Sequence, residues 1–195
     1  MNTANPKSKI PNPNLRAVFL DRDGTICEET NYLSRAANLR LFPFAARAIK
    51  LLSDSGFLVI LITNQSGIAR GFFDEKTLRE IHAKLQTELA ADDAALDAIY
   101  FCPHQPTDDC ACRKPKTGMI CQAAKDFSID LQSSWTIGDK AIDVETGFNA
   151  ETKTALVMTG YGRKETGKLK NEPDLVSENL LKAAKWIAEN GEEKT

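Results

Sequence analysis

A three-layer α/β domain is the fold class that this sequence predicts: a parallel sheet of about five core strands with helices on both faces. Two observations carry that expectation. Short, nearly continuous apolar runs alternate with segments of helical apolar spacing, and most of the runs end in a polar or acidic residue ahead of a turn. Strands buried on both faces have this composition, and right-handed crossovers collect their carboxyl ends on one edge of a Rossmann-like sheet, where sites form.

The expected strands are AVFLD (17–21), FLVILIT (57–63), LDAIYFC (96–102), SWTIGD (134–139) and TALVM (154–158). Between them, Pro43 to Ser53 carries a helical apolar stripe that stops before Gly56, and Asp74 is placed to cap a helix running to about Ala91. Further helices are expected near 117–127, 143–149 and 178–189.

The chain has 195 residues, 42% of them hydrophobic, enough for one domain with a proper core. Residues 15–189 are assigned to that domain, 1–14 to a flexible leader and 190–195 to a flexible tail. A net charge of -2 provides no general basic surface for nucleic acid, and 27% charged residues with no long apolar run argue against a membrane body. The leader holds no stretch of signal-peptide length, so a cytoplasmic protein is expected, and a monomer.

Paired acids open the chemistry. Asp21 and Asp23 end the first strand and, if the chain stays extended, point to the same side, while Gly24 permits a sharp departure. Taken alone, D-x-D-G is equally a solvated turn. Calcium does not fit, because an EF-hand loop counted from Asp21 puts Ile26 at the glycine position and Tyr32 at the last carboxylate. Thr63 and Asn64 end the second strand and lead to Ser66 and Gly67, whose donors suit phosphate oxygens or simply make a strand-to-helix turn. Arg113 and Lys114 are a phosphate-binding pair or a solvated basic pair, and Asp139, with Lys140 and Asp143, offers oxygen ligands for magnesium or another turn.

Cys102, His104, Cys110 and Cys112 place three thiolates and an imidazole within eleven positions, a set that suits tetrahedral zinc with no open coordination position. Buried or redox-active thiols are the competing reading of that spacing. Cys27 and Cys121 are expected to be packing residues, and His82, in a charged helical segment, a surface residue. Arg22 and Arg70 either add positive field or pair with acids.

In chain order these features run acid pair, hydroxyl, lysine, acid, each at or just after a strand end. DRDGT, Thr63, Lys114 and GDKAID together resemble the haloacid dehalogenase superfamily of aspartate-nucleophile phosphatases, and since the intervals where its members insert a large cap domain are short here, the resemblance implies no large cap domain. FLDRDGTI, TNQSGIARG, CPH, CACRKP and GDK are similar to its subfamily of heptose bisphosphate and histidinol-phosphate phosphatases.

The resemblance implies Asp21 as nucleophile, Asp23 as proton donor and acceptor, and Thr63 and Lys114 as phosphoryl stabilisers. It implies catalytic Mg2+ on the side chains of Asp21 and Asp139 and the carbonyl of Asp23, with Asp143 orienting the site, and structural Zn2+ on the cysteine cluster. Substrate contacts are expected from Glu29, Thr30, Asn31, Tyr32, Asn64, Gln65, Ser66, Arg113 and Lys140. The implied partner is a small phosphorylated metabolite, a sugar bisphosphate ahead of histidinol phosphate. The contrasting class is a zinc-stabilised binding module without catalysis, which the acidic Asp108 and Asp109 in the cysteine loop do not favour for nucleic acid.

Overall fold

The computed structural model of the chain describes residues 15–190. Six parallel strands form one sheet: β1 (Arg16–Leu20), β2 (Phe57–Asn64), β3 (Ala98–Cys102), β4 (Trp135–Gly138), β5 (Lys153–Val157) and β6 (Leu175–Ser177). Their order is β3-β2-β1-β4-β5-β6. The chain winds outward from β1 to β3 and then restarts on the other side of β1 with β4, so the direction of winding reverses between β1 and β4. Crevices in such sheets open at that reversal, beyond the strands' carboxyl ends.

The alternation within β1 shows why both faces must be covered. Val18 and Leu20 enter a core with α1 (Ala45–Asp54), α2 (Glu75–Ala90) and α6 (Leu180–Asn190). Ala17 and Phe19 enter a second core with α3 (Gly118–Phe127). Helix α4 (Ala141–Asn149) packs on β4 and β5, and a short α5 (Gly162–Glu165) follows β5. All four apolar side chains Ala17–Leu20 are fully buried, as a central parallel strand requires.

The sequence expectation of five strands omitted β6, a three-residue strand whose Val176 is half exposed and which has no apolar run of its own. It exists through pairing with β5, supported by the Asp174 side chain accepting the Thr154 N–H at 2.7 Å. The third strand begins at Ala98 rather than 96, because the Asp97 carboxylate accepts the Val59 N–H at 2.8 Å and ends the ladder there. Asp74 does cap α2, accepting the Thr77 N–H at 2.8 Å. Helix α4 starts two residues before the expected position, since Asp143 reaches back to the Lys140 N–H at 3.1 Å.

Residues 1–14 and 191–195 lie outside the described residues, and Asn190, assigned to the tail, closes α6. Two further expectations change. His82 is only 7% exposed, because despite its charged neighbours it shares the buried stripe of α2 with Leu78, Leu85 and Leu89. Cys121 is exposed on α3, opposite the buried Met119, Ile120 and Ala123, whereas Cys27 is buried as expected. Among the described residues no helix is long and apolar enough to cross a membrane.

Candidate active site

Asp21 follows β1 and Asp139 follows β4, so the winding reversal brings two acids together from the centre of the sheet. Asp143, in the first turn of α4, is the third, and carboxylate oxygens of all three lie within 4.8 Å of one another. Lys114 enters among them. Its Nζ donates to Asp21 Oδ1 at 2.8 Å, Asp143 Oδ1 at 2.6 Å and the Ile62 carbonyl at 3.3 Å, and the residue is 3% exposed. Burial opposes its charge, but Asp143 and Asp21 outweigh that and hold the amine protonated.

One ammonium against three buried carboxylates leaves negative charge uncompensated. Asp139 takes the consequence: burial first, then Asp21 and Asp143, push its carboxyl up to about 8. Its Oδ2 accepts the Tyr161 N–H at 2.7 Å, while its Oδ1 is buried with no hydrogen-bond partner among the described residues. A Cβ built at Gly24 or at Gly160 falls 2.1 Å from Asp139 Oδ2, so both glycines, each at positive φ, permit the chain to close around this carboxylate. An oxygen-rich, cation-deficient cluster with an unsatisfied acceptor fits a hard divalent cation such as magnesium.

Asp23 has different company. The chain leaves the extended course at Arg22, whose fully buried side chain folds back on its neighbour: Nε donates to Asp23 Oδ1 at 3.1 Å and Nη2 to Oδ2 at 2.9 Å. Gln65 Nε2 also donates to Asp23 Oδ2 at 3.2 Å and to Thr63 Oγ1 at 2.8 Å. Burial raises the Asp23 carboxyl, yet Arg22 and Gln65 reverse the sign and hold it below the usual range. Arg22 is thus an ion-pair partner, one of the two roles expected of it.

On its far side the guanidinium Nη1 stands 3.4 Å from His82 Nε2, which accepts when the imidazole is neutral. Burial, and then Arg22, lower the His82 pKa from 6.5 to about 3. The native state therefore keeps His82 neutral while the unfolded chain takes up a proton below 6.5. Its contribution to stability is complete above pH 6.5 and is lost as pH falls toward 3, by up to about 1.4 kcal/mol per pH unit. Urea unfolding at pH 7 and pH 4.5 is expected to show a smaller acid loss in His82→Gln than in the unaltered chain.

Above these groups lies a cavity of about 210 Å³ lined by Arg22, Asp23, Glu29, Asn31, Tyr32, Leu33, Asn64, Gln65, Ser66, Lys140 and Tyr161. Of the expected substrate contacts, Thr30 is exposed and does not line it, and Arg113 faces a neighbouring groove with Cys110, Lys114 and Lys116. Lys140 Nζ bonds Glu29 Oε2 at 2.7 Å over the Tyr161 ring, and Glu29 Oε1 accepts the Asn31 N–H at 2.9 Å. Those two bonds hold Asn31 and Tyr32 at positive φ on the cavity rim. Tyr161, the buried His82 and the amide of Gln65 against Asp23 were not legible as parts of this site. Only His82 carried a signal, its place on the apolar stripe of α2.

The cysteine cluster gathers after β3. Cys102 Sγ is 3.5 Å from Cys110 Sγ and 3.6 Å from His104 Nδ1, and Cys112 Sγ is 3.5 Å and 3.4 Å from the same two atoms. Tetrahedral ligands about 2.0–2.3 Å from zinc stand roughly 3.5–3.8 Å apart, so the four atoms fit that ion closely. His104 also ties the loop to the cation pair, its carbonyl accepting from Arg113 Nη1 at 3.0 Å.

Comparison with known proteins agrees with this geometry. A family model described as HAD-hydrolase-like matches residues 111–183. The chain is 39% identical over 192 residues to D-glycero-D-manno-heptose-1,7-bisphosphate 7-phosphatase of Thermosynechococcus vestitus, covering 91% of this chain and 96% of that one. It is 38% identical to D-glycero-beta-D-manno-heptose-1,7-bisphosphate 7-phosphatase of Haemophilus influenzae, over 85% and 93% of the two chains. The crystal structure of D,D-heptose 1,7-bisphosphate phosphatase from B. bronchiseptica, complexed with magnesium and phosphate, superposes with a TM-score of 0.85 at 36% identity, covering 90% of this chain and 99% of that one. The chain therefore belongs to the haloacid dehalogenase superfamily of hydrolases and, within it, to the family of the heptose-1,7-bisphosphate 7-phosphatases.

Proposed function

We propose that this chain hydrolyses a phosphomonoester through an aspartyl-phosphate, and that its substrate is a heptose 1,7-bisphosphate from which the C7 phosphate is removed. The observation that carries the chemistry is Lys114 Nζ 2.8 Å from the Asp21 carboxylate, with a second acid, Asp23, two residues on in the wall of the cavity. The substrate follows the names of the relatives described above. A cavity of about 210 Å³ with a polar lining suits a small sugar phosphate.

Asp21 attacks phosphorus, and the bond from phosphorus to the sugar oxygen breaks. Asp23 protonates the departing oxygen. It then takes a proton from water, which attacks the acyl phosphate and returns Asp21 to its starting state. Without substrate, Arg22 holds Asp23 ionised; a phosphate dianion beside it raises its affinity for a proton. Lys114 and the Thr63 hydroxyl stabilise the equatorial oxygens of the transferring group. The side chains of Asp21 and Asp139 and the carbonyl of Asp23 would hold magnesium, which neutralises charge between nucleophile and phosphate when bound. Ser66, Lys140 and the rim residues Glu29, Asn31 and Tyr32 contact the sugar, and Arg113, in the neighbouring groove, meets only a part of the substrate that extends beyond the cavity.

The test is phosphate release by the purified full chain, with and without magnesium, from heptose 1,7-bisphosphate, histidinol phosphate and a panel of hexose phosphates. The expected result is magnesium-dependent turnover with kcat/KM highest on the heptose bisphosphate. A clear preference for histidinol phosphate overturns the substrate, and no turnover on any member overturns the chemistry.

Zinc on Cys102, His104, Cys110 and Cys112 is the second metal of the proposal, closing a loop too polar to pack by itself. Cys110→Ser is expected to yield protein without bound zinc by elemental analysis and to lower unfolding stability by on the order of 4 kcal/mol.

A further inference from the structure

The geometry points to Asn64 as a positioning residue that fixes Lys114 through its backbone, rather than as a contact to substrate. The inference rests on the phosphatase reading above for its kinetic consequence only. Asn64 is the last residue of β2, paired in register with the zinc-cluster residue Cys102 on β3. Its side-chain amide meets both backbone groups of Lys114: Oδ1 accepts the Lys114 N–H at 3.1 Å, and Nδ2 donates to the Lys114 carbonyl at 3.3 Å. An amide has one acceptor and one donor group aligned as a peptide has them, so this pair imitates a ladder pairing where no strand follows.

The same strand holds the other end of the lysine. Two residues before Asn64, the Ile62 carbonyl accepts from Lys114 Nζ at 3.3 Å. Lys114 is therefore fastened to β2 at backbone and ammonium, and its length is laid along the strand end. This matters because the residue arrives from a loop, two positions after Cys112, with no regular element carrying it. The cysteine cluster fixes where the loop starts. Asn64 fixes where Lys114 sits relative to the nucleophile.

A misplacement of about 1 Å in a positioned group costs on the order of 100-fold in rate. Asn64→Ala is accordingly expected to lower kcat about 10- to 100-fold with KM within about threefold of the unaltered chain. Asn64→Asp keeps the volume and the acceptor but loses the donor, and is expected to lower kcat less than Asn64→Ala, again without a change in KM. It preserves the test if the alanine variant does not fold. In a double-mutant cycle, adding Asn64→Ala to Lys114→Met should change kcat by less than about twofold, since Asn64 acts through the group already removed. A rise of tenfold or more in KM with kcat unchanged, or multiplied losses in the double variant, overturns the inference.

A readout independent of turnover separates the two proposals. Acylation of lysines followed by mass spectrometry should label Lys114 slowly in the unaltered chain, where it is 3% exposed, and at least about tenfold faster in Asn64→Ala. Equal protection of Lys114 in both proteins overturns the clamp even where phosphatase activity is confirmed. Absence of phosphatase activity with faster labelling retains the clamp and removes the catalytic reading.

Discussion

Replacing Asp21 with Asn is expected to lower kcat by about 10,000-fold or more, since the carboxamide does not attack phosphorus and the remaining groups only stabilise charge. The isostere keeps the volume of a side chain that is 6% exposed, and Lys114 retains Asp143 at 2.6 Å, so the fold survives. Stability should move in the opposite direction to activity. Asp21 is the largest charged contribution to the raised Asp139 carboxyl, so removing that charge relieves repulsion in the metal-free protein. Urea unfolding in the presence of a chelator should show a higher midpoint for Asp21→Asn than for the unaltered chain. Loss of turnover with a lower midpoint would instead mean that the variant is simply less well folded.

Lys114→Met is the second large effect, and it falls on both properties. Met fills most of the lysine stem's volume but removes the cation that Asp21, Asp143 and the Ile62 carbonyl share. Breaking a buried ion pair by deleting one partner leaves its acids uncompensated, which typically destabilises by about 3–5 kcal/mol. Removing one donor to the transferring phosphoryl group typically lowers kcat about 100- to 1,000-fold. Magnesium should restore part of the lost stability, because a divalent cation compensates the same carboxylates and binds the folded state alone. Equal unfolding midpoints for Lys114→Met and the unaltered chain in chelator, measured at neutral pH, would contradict the ion pairing on which the site is built.

The clustering of the acids and the lysine was legible in the sequence for a physical reason. Asp21 and Asp139 end apolar runs that parallel packing must bury, and a buried strand that terminates in a carboxylate needs a cation nearby. The cysteine cluster was legible because four ligands crowded into eleven positions leave few alternatives. What could not be read is whatever depends on contacts between distant segments. Strand β6 has no pattern of its own and exists by pairing with β5. His82 sits among charges that disguise its buried stripe, and Arg22 gave no sign that it would fold back and hold Asp23. Asn64 and Gln65 line the cavity as substrate contacts would, but nothing in the sequence showed that their amides also bond Lys114 on one side and Asp23 with Thr63 on the other.

Gly24 and Gly160 touch the same carboxylate from two loops, and neither position has room for a single added methyl group. The centre is consequently closed to larger residues at these two positions, while Tyr32 and Phe72, meeting edge to face 4.8 Å apart with 41% and 55% of their surfaces open to solvent, have space around them. Substitutions that alter which sugar is accepted are therefore expected at the edge of the cavity, around Tyr32, and not at the two glycines packed on Asp139.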